Sequence, residues 1–358
     1  MSVLFSPLTL RGTTFRNRAW VSPMCQYSST EGRPSDWHLV HLGSLARGGA
    51  GLVVQEATAV TPDGRISPWD AGIWTDQQAE DYARIAEFVK GQGAVSGIQL
   101  AHAGRKGSSR RPWDERGWVP ESEGGYPTVA PSAVPFGQAP VPAELDEAGI
   151  RTVVEAFAAA ARRSLAAGFE VVEIHAAHGY LIHEFLSPLS NLRTDGYGGD
   201  LAGRSRLLVE VVRAVRGVWP DDRPVLVRLS ATDWVPGGWD VGETVEVARV
   251  LAGEGVDLVD VSSGGLSPDQ KIDLGPGYQV PFARAVREGA GLPVAAVGLI
   301  TEPAQAEAVL AEGSADAVVM AREMLRNPHW PLLAAAELGE DLDALELWPP
   351  QYRRAVPG

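Results

Sequence analysis

Cysteine is nearly absent from this chain of 358 residues: Cys25 stands alone. One thiol makes no intrachain disulfide, no cysteine-rich zinc site and no iron–sulfur cluster held by this chain alone. It also fits a reducing, cytoplasmic setting. Lysine is almost as scarce, limited to Lys90, Lys106 and Lys271. A Schiff-base mechanism needs a lysine at a strand end. None of these falls in a strand-like run, and only Lys106 comes near one. No uninterrupted apolar run reaches the roughly 18 residues of a membrane span, so none is expected. The opening MSVLFSPLTLRG lacks the basic start and long apolar core of a signal peptide, so none is expected there either. Positive charge is outweighed, with a formal net charge of −14. Such a surface repels phosphate backbones and anionic lipid. The expected partner is therefore a small-molecule substrate, with no nucleic acid and no membrane.

What the chain does have is a 45% share of hydrophobic residues, enough for a large core. Its short β-branched runs alternate with longer helical patterns. Eight such runs stand at 18–24, 52–57, 95–100, 170–175, 224–229, 258–263, 294–299 and 317–322. They are mostly apolar on both faces, as strands of a buried parallel sheet are. The stretches between them carry helix signals. Thr75 offers a cap before DQQAEDYARIAEFVKGQ, and DEAGIRTVVEAFAAAARRSLAAG runs from acidic to basic and stops at Gly168. Strand followed by helix, eight times over, predicts a (β/α)8 TIM barrel in a single domain, 1–358. A doubly wound sheet fits less well, because no glycine-rich turn follows the first strand. Three segments lie outside the repeat. Residues 1–17 read as a hairpin cap with its turn near Arg11-Gly12. Residues 102–145 read as a lid insertion after strand 3, long loops of that kind being functional as a rule. Residues 340–358 form a C-terminal tail.

Barrel enzymes place their chemistry at the C-terminal ends of the strands. Strand 1 is followed by Pro23, Met24, Cys25 and Tyr27, and strand 2 ends near Glu56 and Ala57. Strand 3 brings Gln99, strand 4 His175, His178 and Tyr180, strand 5 Arg228, and strand 6 Ser262 and Ser263. Strand 7 ends at Gly298 and strand 8 at Ala321 and Arg322. A glycine that lets backbone N–H groups approach, with an arginine beside it, suits a phosphate. Arg228 inside a barrel is costly unless something anionic or strongly accepting meets it. Together they suggest a phosphorylated ligand with an electron-rich ring across the barrel mouth, such as FMN. The histidine pair alone allows three readings: zinc ligands, packing histidines, or a clamp on a substrate oxygen. Zinc would need a third ligand at a neighbouring strand end. Metal-dependent barrel hydrolases offer HxH after strand 1, where this chain has Pro-Met-Cys. No metal is expected. Cys25 could serve as a small buried hydrophobe and Tyr180 as a packing ring. His38, His41 and His183 read as structural or surface residues, and Trp69, Trp74 and Trp113 as packing or lid residues.

The segments SPMCQYS, QLAHAGRK, EIHAAHGYLIHEFLSPLSNLRTDGYGGDLAGRSR, RLS and AVGLI, spread over the whole chain, resemble those of the old yellow enzymes. The cysteine in SPMCQYS and the HxxH pair resemble the bacterial thermophilic-like subgroup. The resemblance implies an FMN-dependent ene-reductase that takes electrons from NADPH or NADH. It implies that His175 and His178 donate hydrogen bonds to the carbonyl or nitro oxygen of an activated alkene, that flavin N5 delivers hydride, and that Tyr180 protonates the α-carbon. Arg228 would sit by flavin N1 and C2=O, and Gln99 at the pyrimidine edge. Pro23, Met24 and Ala57 would lie along the ring, while Gly298, Ala321 and Arg322 would hold the phosphate. Cys25 would tune the flavin, and Tyr27 would line the substrate pocket. The tail sequence QYRRA resembles a motif whose arginine, here Arg354, reaches a neighbouring protomer's site, which implies a homodimer or homotetramer. Ala355-Val356-Pro357-Gly358 follows where the subgroup often continues to a tryptophan. Ala321-Arg322 stands where Gly-Arg is common.

Overall fold

The computed structural model describes residues 2–357, so Met1 of the hairpin segment and Gly358 of the tail lie outside the described residues. Eight parallel strands close into a barrel. They are β1 (Ala19–Val21), β2 (Leu52–Ala59), β3 (Val95–Ala101), β4 (Val171–Ala176), β5 (Val225–Ser230), β6 (Leu258–Ser262), β7 (Val294–Ala296) and β8 (Ala317–Met320). Each pairs with its neighbour in sequence, and β8 closes on β1. Every residue of β2, β3, β4 and β5 is buried. This is the two-sided burial that the unbroken apolar runs predict.

The outer ring follows the helical stretches: α1 (Asp36–Arg47), α2 (Asp76–Gly91), α3 (Glu147–Ala166), the short α4 (Leu181–Leu186), α5 (Leu201–Arg216), α6 (Val241–Gly253), α7 (Val280–Ala290), α8 (Pro303–Ala311), α9 (Arg322–Arg326) and α10 (Trp330–Glu337). Their starts are capped as short polar residues dictate. Thr75 Oγ1 accepts from the amide of Gln78, and Asp146, Asp200 and Asp240 accept from Gly149, Gly203 and Glu243.

Three strands are shorter than their apolar runs. β1 stops at Val21, and Pro23 has no N–H to continue the ladder. β7 stops at Ala296, before Gly298 turns to φ +126°. β8 stops at Met320, and Arg322 opens α9 instead of ending the strand. At these places the chain leaves the sheet early and bends toward the barrel mouth.

A hairpin pairs Leu8–Leu10 with Thr13–Phe15, turning at Arg11 and Gly12. Leu10 and Phe15 pack with Trp20, Leu52, Val95, Val171, Leu226 and Leu258, which closes the N-terminal end of the barrel. Residues 102–145 contain a 3-10 turn, Gly104–Lys106, and a two-residue parallel ladder between Val129–Ala130 and Ala143–Glu144. Arg105 fixes this segment by donating to the carbonyls of Val134 at 3.1 Å and Leu266 at 2.8 Å. No helix among the described residues is long and apolar enough to cross a membrane.

Candidate active site

β4 delivers His175 to the barrel mouth, where it is 4% exposed. The chain then turns sharply, with His178 at φ +60° and Gly179 at φ +73°. The turn is held from several sides. The His178 amide donates to Ser230 Oγ at 2.9 Å, and the Gly179 amide donates to His183 Nδ1 at 2.9 Å. His183 Nε2 pairs with Asp233 at 3.0 Å, both fully buried. Lys106 Nζ donates to the carbonyls of His178 and Gly265, each at 2.8 Å. The outcome is a crowded trio: the His175 ring centroid lies 5.1 Å from that of His178 and 5.0 Å from that of Tyr180, both edge-on.

Charge states at the trio follow from burial. Desolvation, then the Arg228 charge, holds both imidazoles well below the usual histidine range, so they are neutral. The Ala177 amide donates to His175 Nδ1 at 3.3 Å, which leaves the ring proton on Nε2. Desolvation, then the neighbouring Cys25, pushes the Tyr180 phenol well up, so it keeps its proton at neutral pH. The arrangement can present neutral N–H donors and a phenolic proton to one small space.

Beneath the trio lies a charged layer inside the barrel. Arg228, in register with His175, pairs with Asp260 at 3.2 Å and donates to Ser22 Oγ at 3.0 Å. Gln99 donates to Glu173 at 2.8 Å. Burial, then Asp260, raises the Glu173 carboxyl. One guanidinium thus faces two buried carboxyls. Truncating either member of the Arg228–Asp260 pair would strand the other, at roughly 3–5 kcal/mol.

On the β1 side, Pro23, Met24, Cys25 and Tyr27 follow the strand, with Tyr27 at φ +52° and edge-on to Trp113 at 5.7 Å. The pairing between β2 and β3 slips between Gln55 and Ala57, and Glu56 sits at this irregularity. It accepts from the Gln26 amide at 2.7 Å and pairs with His38 at 3.1 Å. Asp70, bound to Ser67, lies nearby, and burial pushes it up to about 7. Desolvation, then Asp70 and Glu56, raises the Cys25 thiol.

At the ends of β7 and β8 a cavity of about 210 Å³ opens, lined by Gly298, Ala321, Arg322, Gln279 and Tyr278. A Cβ on Gly298 would come within 3.0 Å of Gln279 Nε2 and 3.2 Å of Tyr278, on top of its strained φ. Arg322 makes no hydrogen bond or ion pair among the described residues. A glycine-walled cradle with an unpaired arginine at its rim fits a phosphate. Ala57, Gln99 and Arg228 lie on the strands that lead from the cradle to the trio. The residues present therefore fit FMN. Its phosphate would lie by Gly298, Ala321 and Arg322, and its ring by Ala57, Gln99 and Arg228.

Arg354 is not brought to this site. It is exposed in the 3-10 turn Pro350–Ala355, whose Tyr352 ring packs by His329 at 5.8 Å and Arg47 at 5.2 Å. Of the histidines expected to be structural or surface residues, His38 and His183 are structural: both are fully buried supports of the loops that carry Cys25 and Tyr180. His183 lies in the same LIHEF stretch, but its partner Asp233 is distant in sequence. Lys106 is no Schiff-base lysine here: its ammonium spans the carbonyls of His178 and Gly265 and lies 5.1 Å from the Tyr180 ring centroid. Gln279 and Tyr278 carried no local signal.

Comparison with known proteins identifies the family. Residues 3–341 match the model of the NADH:flavin oxidoreductase / NADH oxidase family. The chain is 50% identical to an NADPH dehydrogenase of Geobacillus thermodenitrificans, over 99% of this chain and 98% of the relative. It is 46% identical to one from Listeria innocua, over 99% of both. Among solved structures, the old yellow enzyme homologue from Zymomonas mobilis superposes with a TM-score of 0.78 at 28% identity, covering 99% of each chain. The 2-naphthoyl-CoA reductase gives 0.84 at 26% identity; 96% of this chain is covered, but it spans only 53% of that longer protein. The chain belongs to the NADH:flavin oxidoreductase / NADH oxidase family and is an FMN-dependent oxidoreductase of the old yellow enzyme type that draws its electrons from NAD(P)H.

Proposed function

We propose that this enzyme reduces carbon–carbon double bonds activated by a neighbouring oxygen, as in enones, maleimides and nitroalkenes. The observation that carries the reading is the trio itself: the His175 ring stands edge-on to His178 at 5.1 Å and to Tyr180 at 5.0 Å, with both imidazoles neutral and the phenol protonated. The chemistry that FMN would supply when bound is hydride transfer, with electrons drawn from the nicotinamide nucleotide, to the β-carbon of a substrate held over it. The protein does the rest. His175 and His178 donate hydrogen bonds to the acceptor oxygen and stabilise the charge that gathers there as the double bond is reduced. Tyr180 gives its phenolic proton to the α-carbon. Lys106, close to the Tyr180 ring, eases the negative charge left on the phenol oxygen.

Other residues complete the picture. Cys25, held as a thiol, borders the flavin, and Tyr27 lines the substrate pocket with Trp113 from the 102–145 lid. Arg354 is free to serve the site of a second protomer in a homodimer or homotetramer, and a cytoplasmic setting suits the single thiol. Morphinone reductase, 28% identical with a TM-score of 0.79, was solved in complex with tetrahydroNAD, which supports a nicotinamide nucleotide entering the same site.

The test is anaerobic. NADPH should bleach the yellow holoenzyme, and cyclohex-2-enone should restore the colour. Tyr180→Phe should leave the bleaching rate intact and slow the enone step by about 10²–10⁴-fold. Equal enone turnover in the variant removes Tyr180 as the proton donor. Failure of every such alkene to restore the colour removes the reading.

A further inference from the structure

We propose that Ser262 sets the tautomer of His178, so that the ring offers an Nδ1–H, and not a bare nitrogen, to the acceptor oxygen. The inference rests on the clamp reading above and adds the residue that makes the second histidine a donor. A neutral imidazole carries one proton, and the partner of each nitrogen decides where it sits. The partner of His178 Nε2 is Ser262 Oγ at 2.8 Å. A hydroxyl can give or take, so the surroundings of Ser262 decide.

Gln279 Nε2 donates to the Val297 carbonyl at 3.2 Å. A carbonyl only accepts, so this contact fixes the orientation of the amide and turns its oxygen toward Ser262 and Ser263. Ser263 Oγ donates to that oxygen at 2.6 Å, whereas Ser262 Oγ stands off at 3.4 Å. The second distance is beyond a good O–H···O bond. Of the two acceptors in reach, the Ser262 proton therefore goes to the nearer lone pair, that of His178 Nε2 at 2.8 Å. The ring proton then occupies Nδ1. The ring has little freedom to escape this arrangement, because the amide and carbonyl of His178 are both tied. His175 becomes a donor by the opposite route, its Nδ1 receiving the Ala177 amide and its Nε2 carrying the proton. Ser262 is therefore a positioning residue, acting through His178.

The holoenzyme labelled with ¹⁵N-histidine tests this, since seven histidines give a sparse spectrum. Two-bond ¹H–¹⁵N correlations distinguish the tautomers, and His178→Asn identifies the resonance. The parent enzyme should show Nδ1–H at His178. Ser262→Ala should move the proton toward Nε2, and Ser262→Thr, which keeps the hydroxyl, should restore Nδ1–H. At equal FMN content, a phenol titrated against the flavin charge-transfer band should bind about 10-fold more weakly to the alanine variant. Nε2–H in the parent enzyme, or an unchanged His178 signal in Ser262→Ala, overturns the proposal. If the alanine variant loses FMN, the parent spectrum still decides. The clamp reading fails separately, by undiminished phenol affinity in His178→Ala.

Discussion

Arg322 is exposed at the cavity rim and has no partner among the described residues, whereas Arg326 one turn on is paired with Glu323 at 2.5 Å. A guanidinium free of carboxylates can spend its donors on a phosphate. Arg326, already neutralised, has less to offer. Arg322→Met should therefore weaken FMN binding by about 10-fold, the effect of a lost charge-assisted hydrogen bond. Arg326→Met should change it little. Fluorescence titration of FMN into apoprotein reads both. Equal dissociation constants for the parent and Arg322→Met would remove Arg322 from the phosphate site. The contrast shows how residue-level chemistry is assigned here: two arginines border one cavity, and the carboxylate beside one of them separates their roles.

At the scale of elements, the hairpin closes the barrel by burying its strands, while its turn is tied by Arg11 to the Asp221 carbonyl at 2.8 Å and by the Gly12 amide to the Asp222 carbonyl at 2.9 Å. Phe15 is fully buried, its ring 4.6 Å from Trp20 at the closed end of the barrel. Phe15→Ala should cost about 3–5 kcal/mol, because it removes a large ring from a site that cannot collapse. The melting temperature should fall, while FMN affinity in the folded protein stays near that of the parent. A variant that melts normally would show that the hairpin does not close the core. The hairpin was legible in the sequence because its turn and its apolar positions are local signals. The eight strands were legible for the same reason, each being a short run apolar on both faces. Strand ends were less so: β7 and β8 leave the sheet early to build the cradle, a choice made by Gly298 and by packing between distant segments. The trio was legible because HAAHGY is contiguous. Its supports were not, because Asp233, Lys106 and Gln279 reach it across loops, and nothing in the neighbouring residues marks such contacts.

Across the whole molecule, the buried ionisable groups set how stability depends on pH. Burial raises the Glu184 carboxyl to about 8 and Asp70 to about 7, against ordinary values near 4 when unfolded. Between these limits the folded state holds protons that the unfolded chain has released. Stability therefore falls as pH rises through this window, and this contribution is spent above about pH 8. Burial lowers His41 and His102 to about 4. In the range from about 4 to 6.5 the unfolded chain holds the extra protons on these groups, so stability falls as pH drops there. Below pH 6.5 the two sets oppose one another; from 6.5 to about 8 the carboxyls prevail, and above about 8 burial of Lys106, which lowers it to about 8, makes stability rise with pH. Denaturation midpoints should thus decline from pH 6.5 to 8 and recover above that, as the unfolded chain keeps the Lys106 proton that the folded state has released. Glu184 supplies the clean test. It is fully buried and its Oε1 accepts from the Arg105 amide at 2.9 Å. A glutamine oxygen can accept the same bond without titrating. Glu184→Gln should reduce the slope between pH 6.5 and 8 by at most about 1.4 kcal/mol per pH unit, the share of one proton. The remaining slope belongs to Asp70 and to the raised Glu173 and Asp260. A variant whose stability falls as steeply as the parent's would show that Glu184 is already ionised in the folded protein, paired through space with the nearby Arg105 and Lys106 instead of holding its proton.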